Sequence, residues 1–435
     1  MFDREFVIQF FRGIMEKVKR EQIFDRELKV DFLKNKAVVI MGPRRSGKTY
    51  FLLNMLKKSE NAVYVDFEHS AFKDITHKEL FEIISIFEEY FGVKVERVLL
   101  DELQRVKDWE SLVRSMLDSG YYLIISGSSS RLSGREIAAQ LRGRCISYLF
   151  LPFSFREYLK FHGVEVKKLV SISEKEKILR LLEEYMEWGG YPEVSMFREM
   201  REKILRDYYD AIFYRDFVGS FERVNTNAAR LVFEFALQNF SCEMSFNKMA
   251  NYVSSRMKRD VKNIVYEYAE RLPEGMNVFF VDKYSESVYE RKSLMKKVYI
   301  SDLGLASVLG IGRDIGMRME NAVFLDLLRR TNVPSMYEIF YWKDYQQREV
   351  DFVIKHGIKV EQLIQVTYAK TTEDVKEREV ESLLRASEAL SCEDLMVITW
   401  DYENDINVKN KVIRFIPLWK WLLEEIPFSD PNTAL

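Results

Sequence analysis

One eight-residue run restricts this chain more than any other: Gly42-Pro43-Arg44-Arg45-Ser46-Gly47-Lys48-Thr49, which fits G-x-x-x-x-G-K-[ST]. It follows the apolar, β-branched stretch Ala37-Val38-Val39-Ile40-Met41 and precedes a helical pattern carrying Leu52, Leu53 and Leu56. A buried strand, a glycine-bounded loop and a helix are thus predicted in succession. Main-chain N–H groups in such a loop curl around a β-phosphate, and the helix N-terminus adds its partial positive charge. Lys48 is placed to span the β- and γ-phosphates, Thr49 to offer a hydroxyl to Mg²⁺, and Tyr50 to complete the contacts of the loop. The bland alternative is a glycine turn that merely joins strand to helix; the flanking elements argue against it.

The surroundings repeat the alternation. Ala62 to Phe67 reads as a second strand, Leu80, Ile84, Phe87 and Phe91 as one face of a crossover helix, and Val98-Leu99-Leu100 as a third strand ending in Asp101-Glu102. Trp109 to Leu117 reads as a helix and Tyr121 to Ile125 as a fourth strand. Four strands alternating with helices ask for a parallel sheet with its ligand at the carboxyl ends. There Asp101 would hold Mg²⁺ through its water shell and Glu102 would polarise an attacking water. Ser126 and Ser128, within Ser126-Gly127-Ser128-Ser129-Ser130, are candidates to sense a γ-phosphate, although small polar residues also make ordinary turns. Arg142 and Arg144 are candidates to neutralise transition-state charge, in cis or from a neighbouring subunit, against the commoner outcome of solvated surface arginines. No N-K-x-D guanine signal occurs, since Asn247-Lys248-Met249-Ala250 lacks the acid, so adenine is the expected base and ATP or ADP the expected ligand.

A chain of 435 residues suggests about three domains. Glycine and proline number only 18 and 8, so linkers should be short. Beyond about Pro152 the alternation stops, and Lys175 to Trp188 and Glu202 to Val218 read as long helices broken at Gly189-Gly190-Tyr191-Pro192. Three helical segments follow Ala228, then Val278 to Val281 and Lys297 to Ile300 as a strand pair, a composition that suits a winged helix. The remainder reads as α+β, with a helix over Arg318 to Arg330, strands near Ile339–Trp342, Glu349–Ile354 and Leu363–Tyr368, and a helix over Val375 to Ala389. The expected divisions are a helical segment 1–35, a nucleotide-binding core 36–150, a helical lid 151–226, a winged helix 227–305 and an α+β end 306–435.

Charge narrows the partners. Lys and Arg total 66 against 68 Asp and Glu, which opposes capture of nucleic acid by the whole molecule but permits a local basic face. Arg256, Lys258, Arg259 and Lys262 form such a cluster at the start of the expected recognition helix, where phosphates of duplex DNA would be met. A solvated face or a protein contact fits it as well, and the stripe Ile264, Tyr268 and Leu272 reads as core. Three separated cysteines, and four histidines without an HxxxH pair, offer neither a disulfide scaffold nor a zinc site; His162 with Glu165 is a lone HxxE. No run approaches the roughly 18 to 20 apolar residues that span a bilayer, and charges within the first five positions do not suit a signal peptide, so a soluble, cytoplasmic protein without a membrane partner is expected.

Taken together these segments resemble the AAA-type P-loop ATPases that carry a C-terminal restriction-endonuclease-like domain. The resemblance runs through GPRRSGKT (42–49), LLDELQRVKDWE (99–110), ISGSSSRLSGREIAAQLRGR (125–144), LPFSFREYL (151–159), GGYPEV (189–194), YRDF (214–217) and ISDLGL (300–305). It implies a Mg²⁺-dependent ATPase core with helical lid, winged helix and nuclease-like end. The nuclease pattern it implies is a helix glutamate, then Asp, then Glu-x-Lys on adjacent strands. Glu320 and Asp351 match, but Gln365 stands where the acid belongs and Thr367 where the lysine belongs. Losing a hard anionic ligand and the water-orienting ammonium makes an active nuclease the least expected use of this end, behind a retained fold with residual metal or DNA binding and plain structural use. Lys343 or Lys370 are the candidates to migrate into the missing role. The expectation is an ATPase whose turnover repositions the C-terminal modules, with a slow nucleotide switch tethering DNA or a protein, and an ATP-gated nuclease, as alternatives. An arginine acting in trans would require a homo-oligomer.

Overall fold

The structure, a computed structural model, describes residues 3–72, 75–128, 140–165, 170–287, 295–310, 314–331 and 337–424. The chain divides into two compact units, Met1–Leu151 and Pro152–Leu435.

The first unit is built on five parallel strands: β1 (Ala37–Gly42), β2 (Ala62–Asp66), β3 (Arg97–Asp101), β4 (Tyr122–Ser128) and β5 (Cys145–Leu149), in the order β2-β3-β4-β1-β5. Every residue of β1 is buried, as its unbroken apolar run demands. The helices are α1 (Arg4–Arg20), α2 (Lys48–Lys57), α3 (His77–Phe91) and α4 (Trp109–Asp118). Thr76 and Glu79 start α3 with a reciprocal capping box, and its buried face carries Leu80, Ile84 and Phe87. Two expectations are corrected. The N-terminal helix stops at Arg20 instead of running to 35, because Leu28, Val30 and Phe32 alternate inward against the core, which is extended periodicity. The sheet has a fifth strand, Cys145–Leu149, at the edge beside β1.

The second unit begins with α5 (Phe155–Phe161), opened by a Ser154–Glu157 capping box, then α6 (Ile172–Trp188), α7 (Pro192–Met196) and α8 (Arg201–Ala211), which continues as a π-turn through Ile212–Phe217. Three helices follow, α9 (Thr226–Gln238), α10 (Phe246–Met257) and α11 (Lys262–Arg271), with the short strand β6 (Glu243–Met244) between the first two. β7 (Val278–Asp282) and β8 (Lys296–Ile300) pair antiparallel, giving the sheet β6-β8-β7. The inward stripe of α11 is Val265 and Tyr268, continued by Leu272, whereas Ile264 faces outward, a correction of one residue to the expected core stripe.

Next come α12 (Gly304–Val308) and α13 (Ile315–Arg330). The chain closes on a mixed sheet of β9 (Tyr337–Lys343), β10 (Glu349–His356), β11 (Lys359–Val366), β12 (Leu395–Thr399), β13 (Asn404–Val408) and β14 (Lys411–Pro417), ordered β13-β14-β12-β11-β10-β9. α14 (Glu377–Leu390) covers it with Leu383, Leu384 and Ala386, and α15 (Leu418–Leu423) ends the described chain. β12 to β14 add to the three strands expected. At Gly189 a φ of +76° bends the chain where a Cβ would lie 1.8 Å from Asp302 Oδ1. Asp302 accepts the N–H groups of Gly190 (2.7 Å) and Gly304 (2.9 Å), so the GGYP and SDLG segments clasp one another. Among the described residues no helix is long and apolar enough to cross a membrane.

Candidate functional site

The parallel pairing of the first unit puts the end of β1, the end of β3 and the end of β4 on one edge of the sheet. Gly42 stands opposite Ser128 in register, and Asp101 opposite Asp66. Between β1 and α2 the loop turns through two left-handed residues, Arg45 (φ +66°) and Gly47 (φ +98°). Gly42 admits no side chain, since a Cβ there would meet the Phe150 carbonyl oxygen at 2.0 Å. Lys48 is buried and turned back onto its own loop, donating to the carbonyls of Gly42 (3.0 Å) and Pro43 (2.8 Å). Ser46 is fully buried and its Oγ has no hydrogen-bond partner. A curled main chain, an inward ammonium and an orphaned hydroxyl make a cradle for an anion. Arg44 belongs to the same turn, and Thr49 and Tyr50 to the first turn of α2, with Thr49 half-buried and Tyr50 exposed.

Asp101 closes β3 as a buried carboxylate. Tyr64 Oη on β2 donates to its Oδ2 at 2.8 Å, and Ser126 Oγ on β4 donates to its Oδ1. Burial and the adjacent Asp101 charge push the Tyr64 phenol far above its usual range, so it remains a donor. Burial also raises the Asp66 carboxyl, opposed by the Glu68 N–H and reinforced by the Asp101 charge. Glu102 takes a left-handed backbone (φ +55°), which ends the strand abruptly, and its carboxylate accepts from Gln104 Nε2. Ser126 thus bonds Asp101 on the neighbouring strand. Ser129, Ser130 and the residues through 139 lie outside the described residues.

Two residues that sequence reasoning passed over complete this edge. Tyr64 is one. Arg26 is the other: it donates to Ser46 O (2.8 Å) and Leu151 O (2.7 Å) with its guanidinium 4.1 Å from the centre of the Phe150 ring, tying the loop to the end of β5. Nothing in the local pattern marks either one. Arg142 and Arg144 are corrected as partners of the phosphate loop of their own chain. Ala37 pairs with Cys145 at the amino end of the parallel strands, so the loop begins five residues away, roughly 16 Å along an extended strand. Arg142 is exposed there, and Arg144 is paired with Asp118 at 2.7 Å.

In the second unit Glu320 and Asp351 do converge, around a residue not considered from sequence. Lys297 Nζ, fully buried on β8, donates to Glu320 Oε1 (2.9 Å), Glu349 Oε1 (2.7 Å) and Asp351 Oδ1 (2.9 Å). Tyr299 Oη adds a 2.6 Å bond to Glu320 Oε1. Gln365 Nε2 (2.8 Å) and the Val366 N–H (2.9 Å) hold Asp351 Oδ2. Burial pushes the Glu320 carboxyl up to about 8 against the pull of Lys297, while Lys297 and Lys343 together outweigh burial and lower Glu349. Thr367 is buried and its N–H bonds Ile398 O at 2.9 Å. Lys343 reaches Glu349 at 3.2 Å, whereas Lys370 is exposed. Among the described residues no group of three or more His, Cys, Asp and Glu is arranged to hold a metal ion. Arg256, Lys258, Arg259 and Lys262 are all exposed, the first three at the end of α10 and the turn after it, the last opening α11.

Fold and loop together define the class: a P-loop, ATPase-like AAA protein. Residues 34–159 match the AAA domain family, residues 179–315 a domain of unknown function, DUF8612, and residues 315–421 a domain of unknown function, DUF4143. The uncharacterized protein MJ1544 of Methanocaldococcus jannaschii is 33% identical over 420 residues, covering 94% of this chain and 93% of that one, and this chain belongs to its family. An uncharacterized protein of Haemophilus influenzae is 28% identical over 346 residues, 76% of this chain and 81% of its own. Among solved structures, C. elegans PCH-2 aligns with 40% of this chain and 51% of its own at 16% identity, with a TM-score of 0.21 that is too low to bear on fold or function.

Proposed function

We propose that the chain binds ATP with Mg²⁺ at the phosphate loop and hydrolyses it, and that turnover repositions the second unit. The observation that supports this best is the convergence on one sheet edge of the anion cradle, the buried carboxylate Asp101 and the acid Glu102. Thr49 and Asp101 are the residues that fit Mg²⁺, since Asp101 is already oriented by two donors as a metal-facing carboxylate requires. Bound there, the ion would neutralise charge on the β- and γ-phosphates. Lys48 would leave the Gly42 and Pro43 carbonyls for the phosphate oxygens, and the loop N–H groups and Ser46 Oγ would hold the chain of phosphates in line. Glu102 would take the proton of the attacking water from its place just beyond Asp101. The test is a pair of variants: Lys48→Ala loses ATP binding or turnover, while Glu102→Gln binds ATP without hydrolysing it. Equal turnover in both variants and the parent would reject the proposal.

A second reading, a nucleotide-gated tether for duplex DNA, is favoured by one observation. The three helices and antiparallel ribbon of residues 226–300 follow the element order of a winged helix, and its four cations are all solvent-facing. It predicts salt-sensitive DNA affinity that differs between ATP and ADP and falls when Arg256, Lys258 and Arg259 are neutralised. Under the first reading alone, duplex DNA has no effect on turnover. The nuclease reading is set aside, because an ammonium stands among the acids that would hold its metal.

A further inference from the structure

Glu320, Glu349 and Asp351 come from α13 and β10, and each points one carboxylate oxygen at a single point, the Nζ of Lys297, at 2.7 to 2.9 Å. Two of them are also held through the other oxygen, Glu349 Oε2 by Lys343 and Asp351 Oδ2 by Gln365 and the Val366 N–H, while Glu320 Oε1 accepts from Tyr299 Oη as well. Outer bonds of this kind orient ligands around a metal. Gln365 is 8% exposed, and with its Nε2 spent on Asp351 its Oε1 lies buried beside the cluster with no hydrogen-bond partner. A buried carbonyl oxygen without a donor is rare in folded proteins and is a hard ligand in want of a cation.

We propose that Lys297 is a built-in cation: its ammonium stands in an oxygen cage of Glu320, Glu349 and Asp351 that takes a calcium-class divalent ion once the lysine's charge is removed. Calcium sits about 2.3 to 2.6 Å from its oxygens, so the cage needs to contract by only a few tenths of an ångström. In the parent chain the lysine forbids the ion, both by occupying its place and by its charge. The centre then works as a metal-free clasp of β8 onto α13 and β10, and this second unit hydrolyses no phosphodiester. The inference is independent of nucleotide turnover in the first unit.

The test uses the full-length chain, free of nucleotide, titrated with Ca²⁺ by calorimetry and followed by thermal melting. Lys297→Met keeps the length of the side chain and removes its charge. It is expected to bind one Ca²⁺ per chain with a Kd on the order of 10⁻⁴ M, and to melt several degrees higher with Ca²⁺ than without. Adding Asp351→Asn should abolish both effects, and the parent should show neither. If Lys297→Met is unfolded in chelator but recovers in millimolar Ca²⁺, that supports the proposal equally. Three results would overturn it: a folded Lys297→Met that binds no Ca²⁺, or binds it regardless of Asp351; a variant that stays unfolded with Ca²⁺ present; and a parent chain that binds Ca²⁺ in an Asp351-dependent way.

Discussion

Tyr64→Phe removes one oxygen from the core of the first unit and leaves the ring in place among Val38, Leu52 and Leu99. What is lost is the 2.8 Å bond from Oη to Asp101 Oδ2. Both partners are buried and the acceptor is a carboxylate, so the bond belongs to the charge-assisted class, worth about 1.5 to 3 kcal/mol. Bonds that orient a metal-facing carboxylate typically change metal affinity by roughly 10- to 100-fold, which is about 1.4 to 2.7 kcal/mol, so the two routes agree. The Mg²⁺ concentration for half-maximal ATP turnover is therefore expected to rise by about one to two orders of magnitude. ATP binding measured in chelator should be unchanged, because the hydroxyl that is removed bonds Asp101. Ser126→Ala should do the same through Oδ1, and the double variant should fall short of the product of the two, since both act on one carboxylate. A folded Tyr64→Phe protein with the parent's Mg²⁺ requirement would refute the idea that this tyrosine orients Asp101.

Arg26→Ala should weaken ATP binding severalfold while leaving the first unit folded, because the loop loses its bond at Ser46 O but keeps its turns; calorimetry with ADP checks this. Gly189→Ala should destabilise the second unit by about 3 kcal/mol or more, combining a glycine-only backbone with a Cβ 1.8 Å from Asp302 Oδ1. Gly163→Ala, also at positive φ but with no atom within 4 Å, should cost only the backbone part in the same denaturant titration. Burial, opposed by the N–H groups of Gly190 and Gly304, raises the Asp302 carboxyl from 3.8 to about 7. Since the folded chain holds this proton more tightly than the unfolded one, the contribution is complete below about pH 4 and is lost as pH rises through about 7. Resistance to denaturant should thus be lower at pH 8 than at pH 5.5, and Asp302→Asn should reduce the difference, the remainder coming from Glu320, which burial pushes up to about 8; a parent more resistant at pH 8 would contradict the sign.

What could be read from the chain follows from how local each constraint is. The phosphate loop was legible because two glycines, a lysine and a hydroxyl fall within eight residues between two apolar patterns. The strands up to β4 were legible because each is an apolar run bounded by turn residues. β5 was not: Cys145-Ile146-Ser147-Tyr148-Leu149 sits at a sheet edge, mostly half-buried, and its composition shows no run. The stretch after Arg20 was misjudged because its charges suit a helix, while its two-residue alternation at Leu28, Val30 and Phe32 is visible only when charge is ignored. Contacts between strands were out of reach. Tyr64 and Asp101 are 37 residues apart, and no spacing rule joins them.

The second unit shows how far reasoning about a missing group can go. Gln365 and Thr367 in the places of an acid and a lysine leave the centre two charges short, and the sequence offers Lys343 and Lys370 as replacement cations, the lysines flanking the acidic strand and the strand after it. Asp351 is buried with Glu320 and Glu349 largely buried beside it, and an uncompensated buried charge costs several kcal/mol, so a cation among them stabilises the cluster. That cation came from β8, 23, 52 and 54 residues from the three acids, on a strand whose alternation marks Val298 and Ile300 and leaves Lys297 looking like an outward residue. β8 pairs antiparallel with β7 and so presents alternate side chains to the two faces of the ribbon. A lysine on either face can be inward wherever another layer covers it, as α13 does here with Glu320, Asn321 and Phe324 against Lys297, Ile300 and Tyr299. When a buried acidic centre lacks its expected cation, every strand lysine in the chain is therefore a candidate, including those in modules that the centre's own pattern does not span.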